Sequence, residues 1–408
     1  MPGAADRIYA GARPRLLQIR TLLASTERQA SLGSGFLVNA KGYAITNYHV
    51  VSQFALEPET YRLEFAAPDG QRGAVKLIAF DVSNDLALIQ IERRGLPFFE
   101  FDRRALEDRT PHGERLYSMG NPLDIGFTIV EGTYSGRVAR SYNERIHFSG
   151  ALNPGMSGGP AVSSSGRVVG VNVAKRLGGE LVSFLVPARF AAELLARNPD
   201  PIALSPDAVR AEIGRQLLAW QASLYKLLDE QALPSRALGP YRAPDNPASW
   251  FNCWARTNAE QVPKPRANLY TTMCYTESPL FVANDLSTGE IRVTHSYAKS
   301  IDLNSVQFAA FLSREYQPTW FVWNRKRHSR IRCHEAFMER QSEAPPMRAV
   351  WCARAYRDFK DLYDVSLLTV TEDRANEALV SRLNMHGVSY ENALQFGQRF
   401  LQEIRVVR

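Results

Sequence analysis

The stretch NPGMSGGPAV, residues 153–162, sets three glycines and two prolines around one serine, Ser157. A serine hydroxyl is a weak nucleophile at neutral pH. It gains reactivity from a base that takes its proton and from a carboxylate that orients the base. It also needs backbone donors aimed at the oxyanion that forms. Gly155, two residues before the serine, lets the chain turn so that neighbouring N–H groups converge. The N–H groups of Gly155 and Ser157 are therefore the candidate donors. Gly158 and Gly159 leave room for a second backbone to approach.

Working outward, the base is sought among seven histidines. His49 ends the strand-like run GYAITNYHVV. The carboxylate is sought at a strand entrance, where it can be buried. Asp85 opens DLALIQI, whose alternate residues are apolar. Asp81, after LIAF, competes with it but reads as a turn or capping residue.

GSGFLVNAKGYAITNYHVV, then DVSNDLALIQI, then NPGMSGGPAV resembles the trypsin-like serine peptidases, in particular their HtrA/Deg branch. The resemblance covers about the first 190 residues. It implies two six-stranded β-barrels with the active site in the cleft, and peptide-bond hydrolysis through an acyl-enzyme without metal or cofactor. It implies Ser157 as nucleophile, His49 as general base and then general acid, and Asp85 as the group that fixes the imidazole tautomer. Gly155 and Ser157 would form the oxyanion hole. Ala151, six positions before the nucleophile, would lie at the base of the S1 pocket. With no acid there, a charged side chain would be desolvated without a partner, so a small or medium apolar P1 residue is expected. Asn153 would form pocket wall, and Ser183, Phe184 and Leu185 a strand whose edge pairs with substrate. The chain departs from the family at Ser149, where aspartate is common. No IVGG-like start precedes the barrel, and no PDZ-like carboxylate loop is found.

Residues 16–190 carry short runs rich in Val, Ile, Leu and Phe, among them GSGFLVN, YRLEFAA, GAVKLIAF and RVVGVNVA, punctuated by Gly, Pro, Asn and Asp. That pattern predicts an all-β region. PARFAAELLARN reads as a closing helix. SPDAVRAEIGRQLLAWQASLYKLLDEQAL has helical apolar spacing. Residues 240–370 mix strands, including TWFVWN, with a helix near Ser305–Arg314. TEDRANEALVSRLN and SYENALQFGQRFLQEI read as two closing helices. The expected architecture is an all-β double barrel over 1–198, a linker and helix over 199–235, and an α+β domain over 236–408.

The 408 residues are 45% hydrophobic and 22% charged, ordinary for a folded chain of more than one domain. The net charge of +7 names no partner. No apolar run is long enough for a membrane span, and the N-terminus lacks the apolar core of a secretory signal. All four cysteines lie in the second half. Turn residues midway between neighbours favour Cys253–Cys274 and Cys333–Cys352 as disulfides, formed in a periplasmic or secreted setting. A four-cysteine zinc site, without a Cys-x-x-Cys spacing, and free thiols are the alternatives. NRKRHSRIR, residues 324–332, follows an aromatic run. Arg325–Arg332 reads as an anionic-surface contact or as a solvated hairpin tip. No helix-turn-helix, RRM or zinc-finger pattern points to nucleic acid. The expected partner is a protein or peptide substrate. The alternative is a binding or chaperone-like module that keeps a protease fold and works through its C-terminal domain.

Overall fold

In the computed structural model, residues 3–175, 182–200, 205–276, 279–317, 321 and 324–407 are described. The chain divides into two compact units. The first holds residues 1–139, 143–213 and 281–286; the second holds 140–142, 214–280 and 287–408.

The first unit contains two closed six-stranded antiparallel barrels. One is built from β1 (Leu16–Leu23), β2 (Gln29–Leu37), β3 (Tyr43–Thr46), β4 (Tyr61–Ala66), β5 (Arg72–Asp81) and β6 (Leu86–Ile91). The other comprises β7 (Arg115–Gly120), β8 (Thr128–Arg137), β9 (Ile146–Phe148), β10 (Pro160–Val162), β11 (Val168–Lys175) and β12 (Ser183–Pro187). Helices α1 (Ala4–Ala12), α2 (Tyr48–Leu56), α3 (Arg103–Leu106) and α4 (Ala188–Ala196) accompany them. Closure removes sheet edges, so inward residues can be uniformly apolar. One continuous core joins Phe36, Ile45 and Leu88 of the first barrel to Leu116, Val171 and Leu185 of the second.

Helix α5 (Pro206–Asp229) follows. The second unit is organised on a seven-stranded antiparallel sheet. The strands after α5, numbered in chain order, are β13 (Ser235–Leu238), β14 (Tyr241–Pro244), β15 (Phe251–Thr257), β16 (Ala267–Thr276), β17 (Leu280–Ala283), β18 (Leu286–Thr288), β19 (Ile291–Ser300), β20 (Arg332–Met338), β21 (Met347–Ala355), β22 (Tyr363–Thr371), β23 (Glu377–Val388) and β24 (Arg405–Val406); β13, β14 and β24 form a three-stranded sheet and β17 and β18 a two-stranded one. The sheet order is β15-β16-β19-β23-β22-β21-β20. Helices α6 (Ser305–Glu315) and α7 (Tyr390–Gln402) complete the unit. The α6 helix starts at a capping box, with Asn304 accepting from Gln307 N–H and Gln307 reaching back to Asn304 N–H.

The expected helix TEDRANEALVSRLN is instead the end of β22, a connecting loop and, from Glu377 on, strand β23. This strand lies between β19 and β22, and Ala378, Val380, Leu383 and Met385 are buried. Both edges are hydrogen-bonded and both faces covered, so tertiary pairing overrides its helix-forming composition. The disulfides join Cys253 to Cys274 and Cys333 to Cys352. Each links directly opposed residues, on β15–β16 and β20–β21. The run TWFVWN lies largely outside the described residues. Among the described residues, no helix is long and apolar enough to cross a membrane.

Candidate active site

His49 sits in the first turn of α2, just past the end of β3 rather than on the strand itself. Asp85 precedes β6, the strand paired with β3. Its φ of 60° is left-handed and strained for a non-glycine residue. Local bonds hold it there: Asn47 Nδ2 donates to the Asp85 carbonyl at 2.7 Å, and His49 N–H donates to Oδ1 at 2.9 Å. The remaining carboxylate oxygen faces the imidazole, with Asp85 Oδ2 and His49 Nδ1 2.7 Å apart. Burial works to lower the His49 pKa, but the Asp85 charge and hydrogen bond outweigh it, and the net shift is upward. Asp81 accepts from Asn84 N–H and Nδ2 and holds the turn between β5 and β6.

The Ser157 loop is fixed from both barrels. Gly158 has a φ of +84°, and a Cβ there would lie 2.2 Å from the Ser34 carbonyl oxygen. Gly155 has a φ of +95°, and a Cβ would meet the Asn121 carbonyl oxygen at 2.4 Å. These two glycines are required by both backbone conformation and space. Ser34 N–H donates to the Ser157 carbonyl at 2.7 Å, and Ser34 Oγ donates to the Gly155 carbonyl at 2.7 Å. Leu123 N–H holds the Pro154 carbonyl at 2.9 Å. Because a trans peptide sets N–H and C=O on opposite sides, this bond also fixes the direction of the Gly155 N–H. Buried Asn172 closes the loop from behind. Its Nδ2 donates to the carbonyls of Met119 and Met156, and its Oδ1 accepts from Ser118.

The Ser157 hydroxyl donates to the Val173 carbonyl at 3.1 Å. Among the described residues, no hydrogen bond joins it to His49. The His49–Asp85 pair is thus formed, while the Ser157 hydroxyl is engaged by the Val173 carbonyl. Val173 lies at an irregularity of β11, between Asn172 and Ala174 in their pairing with β12.

The expected specificity residues divide. Ala151 and Asn153 are exposed, beside buried Leu152. Ser183 and Leu185 are buried, and Phe184 is half-buried. Strand β12 pairs with β11 on one side and β9 on the other. The closed barrel therefore leaves no free edge at Ser183–Leu185, and addition of a substrate strand to that edge is corrected. The backbone that approaches Ser157 is that of Val173. Ser149 instead bonds Thr133, whose N–H donates to its Oγ at 2.9 Å.

Four features escaped the sequence reading. Ser34 and Asn172 position the serine loop from strand interiors. Arg145 lies in the field of the candidate acid: burial lowers its pKa, and the charges of Asp85 and Asp81 oppose that shift. Residues 281–286, although distant in sequence, are part of this unit. Phe281 meets the His49 ring edge-on with centroids 5.9 Å apart, and Tyr48 Oη donates to the Val282 carbonyl at 3.1 Å. Among the described residues, no group of His, Cys, Asp or Glu side chains is placed to hold a metal ion.

In the second unit, Arg327 and His328 of the NRKRHSRIR run are buried, whereas Arg325, Lys326, Arg330 and Arg332 are exposed. Arg327 pairs with Asp358 at 3.1 Å. His328 lies 3.3 Å from Asp364, which also binds Arg354 at 2.7 Å and lies 3.3 Å from His386.

Residues 33–171 match the family model of the trypsin-like peptidase domain. The probable periplasmic serine endoprotease DegP-like of Chlamydia muridarum is 32% identical over 177 residues, covering 41% of this chain and 34% of that protein. The putative serine protease HhoB of Synechocystis is 32% identical over 180 residues, covering 42% and 41%. The DegP-like protein of Brucella suis is 33% identical over 178 residues, covering 41% and 33%. The chain spans between a third and about two fifths of the length of these curated relatives.

Proposed function

We propose that this chain is a serine endopeptidase that cleaves polypeptides through an acyl-enzyme. The observation that carries the reading is the 2.7 Å His49–Asp85 pair in the same unit as the glycine-shaped Ser157 loop. The family match over residues 33–171 supports it. Rotation of Ser157 away from the Val173 carbonyl brings its hydroxyl under the control of His49. The imidazole takes the Oγ proton as Oγ bonds to the substrate carbonyl carbon. It then returns that proton to the leaving amine as the C–N bond breaks. Water, deprotonated by the same histidine, releases the acyl group. Asp85 holds the tautomer and stabilises the imidazolium, while the N–H groups of Gly155 and Ser157 bind the developing oxyanion.

Exposed Ala151 places no carboxylate near the loop, and this favours a small or medium apolar P1 side chain such as Val, Ala, Leu or Ile. Asn153 would shape the same pocket. The two disulfides and the names of the relatives support a periplasmic or secreted setting. An anionic contact at Arg325–Arg332 would use only the exposed members of that run. The C-terminal unit would then recognise or regulate.

A fluorophosphonate probe tests the central reading. Ser157 should be labelled in the wild type, and Ser157→Ala should lose labelling together with roughly 10⁶-fold in kcat. Absence of labelling in the presence of peptide would overturn it. A peptide library read by mass spectrometry should place cleavage after apolar residues. A second reading, a binding or chaperone-like module on a protease fold, draws on the Ser157–Val173 bond and on Phe281 beside His49. It requires Ser157→Ala to retain full biological function.

A further inference from the structure

The seven-stranded sheet of the second unit has one face divided in two. Near α6 that face is apolar: Ala298, Val380, Val370 and Leu368 pack with Phe308 in one buried cluster. Along the same strands, beyond the end of α6, it turns polar. Ala298 is followed back along β19 by Ser296, Thr294 and Arg292, and Val380 is followed along β23 by Arg382 and Asn384. A polar sheet face is ordinary where it meets flat solvent. Here it is the floor of a cavity of about 490 Å³, walled by the C-terminal end of α6 and by Trp254 on edge strand β15. That volume lies within the range of about 300–1,000 Å³ typical of small-molecule sites.

The lining has two chemistries side by side. Four arginines face one glutamate, Glu315. Arg292 is neutralised by Glu290 at 2.7 Å, and Arg382 donates to the carbonyls of Glu315 and Gln317. Arg256 and Arg314 are exposed and have no acidic partner among the described residues. Beside them, Trp254 is 64% exposed, an unusual position for so large an apolar ring, and Met273 stands directly opposite it in the β15–β16 register. Buried Asn384 adds a directional donor: its Oδ1 accepts from Ser366 Oγ at 2.7 Å, which leaves its amide N–H groups for the cavity it lines.

The geometry points to a binding site for a small organic anion with an apolar body, in which Arg256, Arg314 and Asn384 hold the anionic group and Trp254 and Met273 hold the aryl or alkyl part. Guanidinium groups match carboxylate and phosphate oxygens in a planar fork, and an exposed indole beside them supplies the apolar contact. The site is independent of the peptidase reading, since none of its residues belongs to the first unit.

Calorimetric titration of the full chain with phenyl phosphate and, separately, with decanoate tests it. The two probes share the amphipathic anion and distinguish a phosphate ester from a carboxylate. Saturable binding of either is expected, weakened at least tenfold by R256Q/R314Q and by W254A. These three side chains are exposed, so the variants should keep the wild-type melting profile. Inorganic phosphate and benzyl alcohol, which carry one half of the chemistry each, should bind at least tenfold more weakly than phenyl phosphate. The proposal is overturned if neither probe saturates, if binding is indifferent to both variants, or if inorganic phosphate binds as well as its phenyl ester.

Discussion

At the scale of single residues, the Asp85–His49 contact would set the working pH of the proposed peptidase. In that mechanism the histidine must be neutral to accept the Ser157 proton, and Asp85 raises its pKa against the opposing effect of burial. Activity should therefore rise with pH through an inflection above the ordinary histidine value of about 6.5. Asp85→Asn tolerates the left-handed backbone but removes the charge. It should lower kcat by about 10⁴-fold, and burial, then unopposed, should move the inflection to lower pH. A kcat/KM profile of both proteins checks this; an unmoved inflection would detach Asp85 from the histidine. Ser157, His49 and Asp85 were legible because each carries a local signature: a glycine-dense turn, a strand end, an acid before an alternating strand. Ser34 and Asn172 have no such signature. A small polar residue in a strand interior becomes informative only when folding places it against a carbonyl from a distant loop.

At the scale of elements, the two disulfides occupy matching positions. The seven-stranded sheet begins at β15 and ends at β20, and both strands are exposed over most of their length. Little burial holds either one, and edge strands are prone to loosen or to recruit other chains. One disulfide fastens each edge strand to its inner neighbour. Mild reduction should speed amide exchange in β15 and β20 while β19 and β23 keep their protection, as hydrogen-exchange mass spectrometry would resolve. The error at β23 has the same origin in reverse: a central strand takes its conformation from neighbours that its own residues do not reveal.

Asp364 is a buried acid of this sheet. Burial would raise its pKa, but the hydrogen bond and charge of His386, together with Arg354 and His328, hold it well below the usual carboxylate range. A depressed folded-state pKa contributes stability that is present above the unfolded value of about 3.9 and is lost as pH falls below it. Asp364→Asn should flatten that acid limb. It should also cost about 3–5 kcal/mol near neutrality, because buried Arg354 then loses the Asp364 carboxylate. Denaturant melts at pH 3 and pH 7 separate the two effects. The basic run at 324–332 could not announce this role, since its sequence gives no sign that Arg327 and His328 turn inward.

At the scale of the whole molecule, two closed barrels and a seven-stranded sheet follow the broad division seen in the sequence, an all-β first half and an α+β second half. What no local pattern disclosed is that residues 281–286 belong to the first unit. Tyr48 is fully buried, and its hydroxyl finds an acceptor on Val282, itself buried. On the ribosome, the two barrels would emerge long before that segment does, so the surface next to His49 stays unfinished until the chain has been synthesised past it. A gene truncated after Ile213 should yield a product that melts earlier than the full-length protein and exposes Tyr48 to solvent, as tyrosine fluorescence and a thermal scan would show. Supplying a peptide spanning 279–288 in trans should recover part of the loss. The double-barrel unit is therefore not a detachable cassette: the gene region that encodes its last structural piece sits inside the other half.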